Sequence, residues 1–287
     1  MSFSTDRFNI VKKILNKFIF DENIIYIILT YYWQLLEKRK VLLDCINIDN
    51  LRWKYLSKNP NAIHLLENNI DKINWDYLCL NDNAIHLLET NLDKIDWEYL
   101  CFNPNAIQLI LERKQIEDNM LIDDYYDLTI NQSNINWMVL SKNPNAIHLL
   151  EQNQDYINWH WLCYNPNAIH LLKQNQNKIN WSFLSSNPNA IELLEKNEDK
   201  IDWYNLSRNT NAIHIIKNNL DKIDWILLSK NPNAIELLEK NQDKIDWDEL
   251  SENPNAIDLL KNNIDKINWD LLSSNPSIFI EESMPNL

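Results

Sequence analysis

The chain has 287 residues, and the 45% of them that are hydrophobic suffice for a folded core, which excludes a disordered chain. The formal net charge of −14 argues against nucleic acid and against an anionic membrane surface, and it suits a basic protein partner. Glycine is absent, which excludes a glycine-rich phosphate-binding loop.

The first 50 residues do not share the periodicity of the rest of the chain. Apolar residues there predict helices over 7–18 and 22–38 and a short third helix over 41–46. No signal peptide is recognisable, and the apolar run at 24–33 is shorter than the ~20 residues that span a bilayer, so we expect an intracellular protein. We predict that residues 1–50 form a helical cap over the end of a repeat stack.

A docking function is the alternative for this N-terminal segment. Residues 20–25 (Phe-Asp-Glu-Asn-Ile-Ile) and 28–29 (Ile-Leu) resemble the opening helix of an F-box, although the usual Leu-Pro start is missing. The resemblance implies an adaptor that joins a substrate to a ubiquitin ligase. The sequence leaves both the cap and the docking segment open.

From residue 51 onward the chain is a repeat that is marked by ten tryptophans. Neighbouring tryptophans are 22 residues apart, except for one gap of 40 residues. A fixed period between 20 and 50 residues is typical of solenoids. We therefore predict an all-α solenoid of short two-helix units. The tryptophans are Trp53, Trp75, Trp97, Trp137, Trp159, Trp181, Trp203, Trp225, Trp247 and Trp269.

Each unit is predicted to contain two short helices, which we name the A helix and the B helix. The A helix starts at the tryptophan, and Asn74 is an example of the N-cap that precedes it. The B helix starts at Asn-Pro, as at Asn59 and Pro60, because proline suits the first helical position. We expect Asn69 to end the B helix in the left-handed conformation, since no glycine is available. The tryptophan, the leucines, the isoleucines and one alanine of each unit are predicted to form the core.

One asparagine recurs in every unit at the start of the B helix. It either caps each helix separately or also bonds to the backbone of the adjacent unit as a ladder, and the sequence leaves both open. Another position alternates between serine and cysteine (Cys79, Cys101 and Cys163), which indicates a small buried slot rather than a disulfide or a zinc site. The recurring asparagines are Asn59, Asn81, Asn103, Asn143, Asn165, Asn187, Asn209, Asn231, Asn253 and Asn275.

The repeat pattern also sets the domain boundaries. Residues 51–111 form a first repeat block, and residues 134–276 form a second one. Between them, residues 112–133 are an insertion or a degenerate unit, which we expect to be helical and to interrupt the stack without breaking it. Residues 277–287 lack the alanine and the leucine pair, and we predict a C-terminal cap there.

The polar residues of the repeat show no catalytic or metal-binding pattern. Five histidines share one position, but adjacent units lie about 10 Å apart, which is too far for ligands that each bind a metal at about 2 Å. Other units carry glutamate, glutamine or aspartate there, so we interpret the position as solvated surface. We predict that the protein is not an enzyme and needs no cofactor. The histidines are His64, His86, His148, His170 and His214.

The best functional candidate is a stripe on the A helix. Residues one, two and five positions after the tryptophan share the face opposite the core, and they vary between units as a binding surface does. Exposed aromatic side chains concentrate binding energy at interfaces. The alternative is that the second position is half buried against the next unit. The candidate binding residues are Tyr55, Tyr77, Leu80, Tyr99, Phe102, Met138, Trp161, Tyr164 and Phe183.

The repeat Asp-Trp-x-x-Leu-Ser-x-Asn-Pro-Asn-Ala-Ile-x-Leu-Leu-Glu resembles one found in many uncharacterised proteins of giant DNA viruses of the mimivirus type. The resemblance covers residues 51–287; it implies a viral source and supplies no catalytic residue. We predict a non-catalytic scaffold that binds host or viral proteins, in the host cytoplasm. The alternatives are the F-box-like adaptor and a structural component of the virion.

Overall fold

The computed structural model describes residues 10–15, 25, 28–29, 40–119 and 136–281. The chain divides into two compact bodies. The repeat body is Asn47–Ser277, and the terminal body combines Met1–Ile46 with Ile278–Leu287. All nine residues of the candidate stripe belong to the repeat body.

The terminal body contains a two-stranded antiparallel sheet. Strand β1 is Lys40–Leu42 and strand β2 is Phe279–Glu281. The short helix predicted over 41–46 is therefore wrong. The backbone of β1 pairs with β2, and the Leu43 N–H donates to the Ile278 carbonyl over 2.8 Å, so these groups are bonded across the sheet rather than along a helix.

The two longer N-terminal helices fall mostly outside the described residues. Residues 10–15 and 28–29 are helical, and Ile25 and Leu29 are buried. The segment predicted as a C-terminal cap contains β2, and its last six residues, 282–287, also lie outside the described part of the chain. The capping functions of both chain ends stay predictions.

The described part of the repeat body contains ten units, which we number 1 to 10 in chain order, and each begins with an A helix at its tryptophan. The A helices are Trp53–Ser57, Trp75–Cys79, Trp97–Leu100, Trp137–Lys142, Trp159–Leu162, Trp181–Ser185, Trp203–Leu206, Trp225–Ser229, Trp247–Glu252 and Trp269–Leu272. The B helices of units 1 to 9 are Ile63–Glu67, Ile85–Glu89, Ile107–Asn119, Ile147–Gln152, Ile169–Gln174, Ile191–Glu195, Ile213–Lys217, Ile235–Glu239 and Ile257–Lys261.

Short 3-10 turns connect these helices. Before the B helix they are Pro104–Ala106, Pro144–Ala146, Pro166–Ala168 and Pro232–Ala234, and the corresponding turn of unit 10, Pro276–Ile278, leads into strand β2 instead. Before the A helix they are Ile48–Asn50, Ile70–Lys72, Leu92–Lys94, Gln154–Tyr156, Gln176–Lys178, Glu198–Lys200, Gln242–Lys244 and Ile264–Lys266. The predicted all-α solenoid of short helix pairs is therefore confirmed.

Side-chain caps start the A helices and also join consecutive units. Asn74 Oδ1 accepts from the Tyr77 N–H over 3.0 Å, as its position before the tryptophan predicts. In the preceding unit, Ser57 Oγ donates to the Trp53 carbonyl over 2.7 Å and accepts from the Asn74 N–H over 3.0 Å. The serine slot is therefore a hydrogen-bonding link between units, which its small size alone does not indicate.

The cysteines in this slot are structural groups. Cys163 Sγ donates to the Trp159 carbonyl over 3.2 Å and accepts from the Asn180 N–H over 3.3 Å. Burial raises the pKa of Cys79 to about 12 and also raises the pKa of Cys101 and of Cys163. All three are buried free thiols, which confirms the predicted small slot.

The B helices end differently from the prediction. Asn69 has a φ of −142°, and none of the described residues has a positive φ. Its Nδ2 donates instead to the Leu65 carbonyl, four residues earlier, over 2.9 Å. The predicted left-handed C-cap is therefore wrong, because the asparagine side chain satisfies a free carbonyl of the last turn without that backbone conformation. Seven other units share this bond, so the repeat needs no glycine.

The recurring asparagines at the start of the B helices form a buried ladder. Asn81 Nδ2 donates to the carbonyls of Ser57 and Asn59 in the preceding unit, each over 2.9 Å. Asn81 Oδ1 accepts from the Asn83 N–H over 3.0 Å, which caps its own helix. Each asparagine therefore acts both as a cap and as a ladder rung. All ten are at most 2% exposed.

The ladder closes on itself. Asn59 of unit 1 donates through Nδ2 to the Ser273 and Asn275 carbonyls of unit 10, over 3.1 and 2.8 Å. At the same junction the Arg52 N–H donates to Ser273 Oγ over 2.8 Å, and the Arg52 guanidinium pairs with Asp270 at 2.8 Å. Unit 1 therefore stacks on unit 10 as unit 2 stacks on unit 1, and the repeat body is a ring. The sequence analysis expects an open stack and does not predict this closure.

A second asparagine ladder runs beside the first, closer to the surface. Asn83 Nδ2 donates to the Pro60 carbonyl of the preceding unit over 2.9 Å. Across the ring junction, Asn61 Nδ2 donates to the Pro276 carbonyl over 2.8 Å. Two asparagines of each such segment therefore bond to the preceding unit, the first through two hydrogen bonds and the second through one, and the sequence predicts only the bonding of the first asparagine.

The insertion leaves the ladder intact. Asn143 of unit 4 donates to the Cys101 and Asn103 carbonyls of unit 3, over 2.9 and 3.0 Å, although 40 residues separate the two asparagines. The B helix of unit 3, Ile107–Asn119, runs into the insertion, so the first part of the insertion is helical as expected. Residues 120–135 lie outside the described residues.

The core of each unit is made of leucine, alanine and, in several units, the isoleucine two residues before the tryptophan, whereas the tryptophan is only half-buried. Leu56, Leu66 and Ala62 have no exposed surface. Trp53 keeps partial exposure, and Lys72 Nζ lies 4.6 Å from its ring centroid. Seven units place a lysine over the tryptophan in this way. The prediction of a core tryptophan is therefore corrected: the indole covers the core and is itself covered by a cation.

Candidate functional site

The side chains five positions after the tryptophan lie on the inside of the ring. Phe102 of unit 3 meets Trp161 of unit 5 with ring centroids 6.3 Å apart, although unit 4 separates them. Lys58 of unit 1 and Glu252 of unit 9 form an ion pair at 3.0 Å across unit 10. Contacts that skip a unit place these side chains on the concave side of the array, where successive units are closest together. We name the surface formed by the second and fifth positions the inner face.

Four of the predicted residues form one aromatic cluster on the inner face. The Trp161 ring centroid lies 6.3 Å from that of Phe102 and 6.2 Å from that of Tyr164. Tyr164 stacks on Phe183 at 4.7 Å with an interplanar angle of 26°. All four side chains are half-buried, which for the second-position residues Trp161 and Phe183 is the alternative that the sequence leaves open. Each ring keeps surface that a ligand can reach.

The other predicted residues are distributed around the cluster. Tyr55 and Tyr77 form a separate edge-to-face pair with centroids 5.6 Å apart. Leu80 is half-buried, and Tyr99 and Met138 are 40% and 42% exposed. Within the described residues, none of these five has a ring contact with the aromatic cluster. The ring therefore brings together four of the nine predicted residues, with a further pair nearby in the repeat.

Glu252 forms ion pairs with two lysines on the inner face. Its Oε1 lies 3.0 Å from Lys58 Nζ, and its Oε2 pairs with Lys230. Burial pushes the pKa of Glu252 upward, but the hydrogen bonds and charges of Lys230 and Lys58 outweigh that effect and hold the pKa below its ordinary value. These three groups come from units 1, 8 and 9, so the closed ring is what assembles the ion-pair network.

A lysine lies over the aromatic cluster. Lys142 Nζ is 5.9, 5.7 and 5.1 Å from the ring centroids of Phe102, Trp161 and Tyr164. Burial, and then the charge of nearby Arg208, lower the pKa of Lys142. Burial raises the pKa of Tyr164, and Arg208 offsets part of that rise. Both cations keep exposed surface, so the cluster combines apolar rings with two positive groups that solvent reaches.

The sequence analysis misses Lys142 and Arg208 as members of the site. They occupy the fifth position of units 4 and 7, the same repeat position as Phe102 and Tyr164. The stripe predicted on the A helix includes this position, but the nine candidate binding residues are all apolar or aromatic. Their approach to one another could not be read from the sequence, because it depends on ring closure.

The histidine position lies at the surface, as predicted. His86 Nε2 is 3.0 Å from Glu67 Oε1 of the preceding unit, and His170 Nε2 is 2.8 Å from Glu151 Oε1. These contacts join neighbouring units. In the part of the chain that the structure describes, no group of three or more histidine, cysteine, aspartate or glutamate residues could hold a metal ion.

A cavity of about 300 Å³ lies beside Trp203 and is lined by His214 and Lys222, among others. None of the nine stripe residues contributes to it. Its wall includes Glu195, whose Oε1 contacts His214 Nε2 at 3.1 Å in the same inter-unit pairing that other units show. The cavity is therefore formed by repeated structural positions, whereas the inner face is formed by variable ones.

Comparison with known protein families, with curated proteins and with solved structures finds no match. Among the described residues, no helix is long and apolar enough to cross a membrane. The fold defines a closed α-solenoid of short helix pairs. The positions that form the inner face vary from unit to unit between aromatic, aliphatic, basic and acidic side chains.

Proposed function

We propose that the chain is a non-catalytic scaffold that binds a protein partner through the inner face of its ring. The observation that supports this function is the cluster of Phe102, Trp161, Tyr164 and Phe183, which units 3, 5 and 6 bring together. Their side chains take no part in the two asparagine ladders. Partly exposed aromatic side chains contribute much of the binding energy at protein interfaces.

Two further considerations define the expected partner. The resemblance of the repeat to giant-virus proteins supports a host or viral protein in the host cytoplasm, and the net charge of −14 supports a partner with a basic surface. The F-box-like adaptor and the virion component stay alternatives. Residues 20–24 of the F-box-like segment lie outside the described residues, and Ile25 and Leu29 are buried.

Affinity capture from host lysate with quantitative mass spectrometry tests the proposal. We expect Phe102→Ala and Trp161→Ala to reduce recovery of the main partner at least about tenfold, as for interface hot spots. Ile226→Ala is the matched control, because Ile226 is 53% exposed at the first position of unit 8 and lies outside the cluster.

Circular dichroism of each variant separates binding from folding. Native spectra with lost capture support binding by the inner face. Capture of the same proteins by the wild type and by both cluster variants would refute the proposal. Unfolding of Trp161→Ala and Phe102→Ala would instead assign these rings to packing. Recovered ubiquitin-ligase subunits or capsid proteins would favour the adaptor or the virion component, respectively.

A further inference from the structure

The charges of the inner face are not evenly neutralised. Lys58 and Lys230 share the carboxylate of Glu252. Lys142 and Arg208 occupy the same repeat position in other units, but no described carboxylate lies within ion-pair distance of either side chain. Elsewhere in the described part of the chain, lysines such as Lys72 and Lys94 also lack an acidic partner, but each of those lies over a single tryptophan ring.

The surroundings of Lys142 stabilise its charge without cancelling it. Its Nζ lies within 6 Å of three ring centroids, and such cation–π contacts are attractive but leave the net charge in place. Arg208 adds a second positive charge, which lowers the pKa of Lys142 in addition to burial. The same charge offsets part of the rise that burial causes in the pKa of Tyr164, while the charge of Asp202 adds to that rise. An anion at this point would relieve the repulsion between the two cations.

We infer that this part of the inner face binds an acidic segment of the protein partner, with a carboxylate held by Lys142 and Arg208 and an adjacent apolar or aromatic side chain on the cluster of Phe102, Trp161 and Tyr164. The inference rests on the proposed function and specifies the partner's chemistry at this site. The net charge of the chain suggests a basic partner, whereas this site favours an acidic segment. The two differ because salt screens charges that are more than about 8–10 Å away, so that the nearby cations determine binding at this site.

A cationic ligand is the main competing occupant. Three aromatic rings around an ammonium group are also a geometry that binds methylated lysine or other cations. Here Lys142 itself takes that place, and a second cation would meet Arg208 as well. The carboxylate is favoured because Arg208 can offer it a planar pair of donors and Lys142 a point charge.

Fluorescence anisotropy with three labelled hexapeptides tests the inference on the full chain. Each peptide carries two phenylalanines, and the other four residues are all glutamate, all glutamine or all lysine. We expect the glutamate peptide to bind at least about tenfold more tightly than the glutamine peptide, as charge-assisted bonds allow. The combined variant Lys142→Met/Arg208→Met should reduce that preference to less than about twofold.

Lys173→Met/Lys240→Met is the matched control, because it removes two positive charges from exposed ion pairs elsewhere and should retain the preference. If the glutamate and glutamine peptides bind equally well, and the binding of both is lost in Phe102→Ala, the inference is overturned and the proposed function stands. Tightest binding of the lysine peptide would overturn it in favour of a cation site. Failure of all three peptides to bind would overturn it as well, whereas the capture experiment tests the scaffold function separately.

Discussion

Replacing Asn187 by alanine removes three hydrogen bonds from a fully buried site of the first ladder. Asn187 Nδ2 donates to the Cys163 and Asn165 carbonyls over 2.8 and 2.9 Å, and Oδ1 accepts from the Asn189 N–H over 2.9 Å. A buried polar group left without a partner costs roughly 1–3 kcal/mol. Because the Asn165 carbonyl keeps a second bond from Ala168, we expect the unfolding free energy to fall by about 3–5 kcal/mol.

Asn189 provides the matched control for this prediction. Its Nδ2 donates a single bond to the Pro166 carbonyl over 2.9 Å, at an exposed position where water can replace it. Asn189→Ala should therefore cost about 1 kcal/mol or less. Urea unfolding followed by far-UV circular dichroism measures both variants. Equal costs, or a cost below about 1.5 kcal/mol for Asn187→Ala, would refute a main stabilising function for the buried ladder.

Three further predictions follow from packing, charge and thiol chemistry. Ala168→Leu should lower the unfolding free energy by about 2 kcal/mol or more, because Ala168 has no exposed surface, and urea unfolding measures the loss. Hydrogen bonds from two lysines lower the pKa of Glu192 from 4.5 to about 2. The ionised carboxylate should therefore stabilise the fold above about pH 4.5, and this stabilisation should be lost as the pH falls toward 2. Iodoacetamide at about pH 8 should modify exposed Cys45 and spare Cys79.

Each of these predictions has its own check. Undiminished stability of Ala168→Leu would show that neighbouring units do not approach closely at the alanine. An NMR titration of the Glu192 carboxyl with a midpoint near 4.5, or a pH profile of stability unchanged in Glu192→Gln, would contradict the ion pairing. Mass spectrometry that finds Cys79 alkylated in the native protein as fast as Cys45 would contradict its burial.

Local features of the fold could be predicted because they depend on neighbouring residues. The spacing of the tryptophans predicts the helix pairs, and Asn74 before Trp75 predicts an N-cap that the structure confirms. Asn59 at the start of the B helix predicts a cap or a ladder, and the structure contains both. At Asn69 the same type of reasoning fails, because an asparagine can end a helix either by a left-handed backbone or by a side-chain hydrogen bond. The structure contains the side-chain bond, from Asn69 Nδ2 to the Leu65 carbonyl.

Ring closure could not be predicted because it depends on a sum of small angles. Each unit must rotate by about 36° relative to the last for ten units to close, and an error of about 5° per unit becomes about 50° over the ring. The contacts within the candidate site depend on the same angles and could not be predicted either. Phe102 and Trp161 were both candidates from the stripe pattern, but their contact, and the position of Lys142 above them, require the curvature that only the coordinates supply.

Closure also restricts how such a protein can change in evolution. An open solenoid can gain or lose a whole repeat at an end, and its existing junctions keep their geometry. A closed circle of ten units cannot gain or lose a unit in this way, because an eleventh unit would force every junction to adopt a new angle. Extra sequence is then accommodated within a unit, as in the 40-residue interval from Trp97 to Trp137. The units differ instead at the second and fifth positions, which form the inner face.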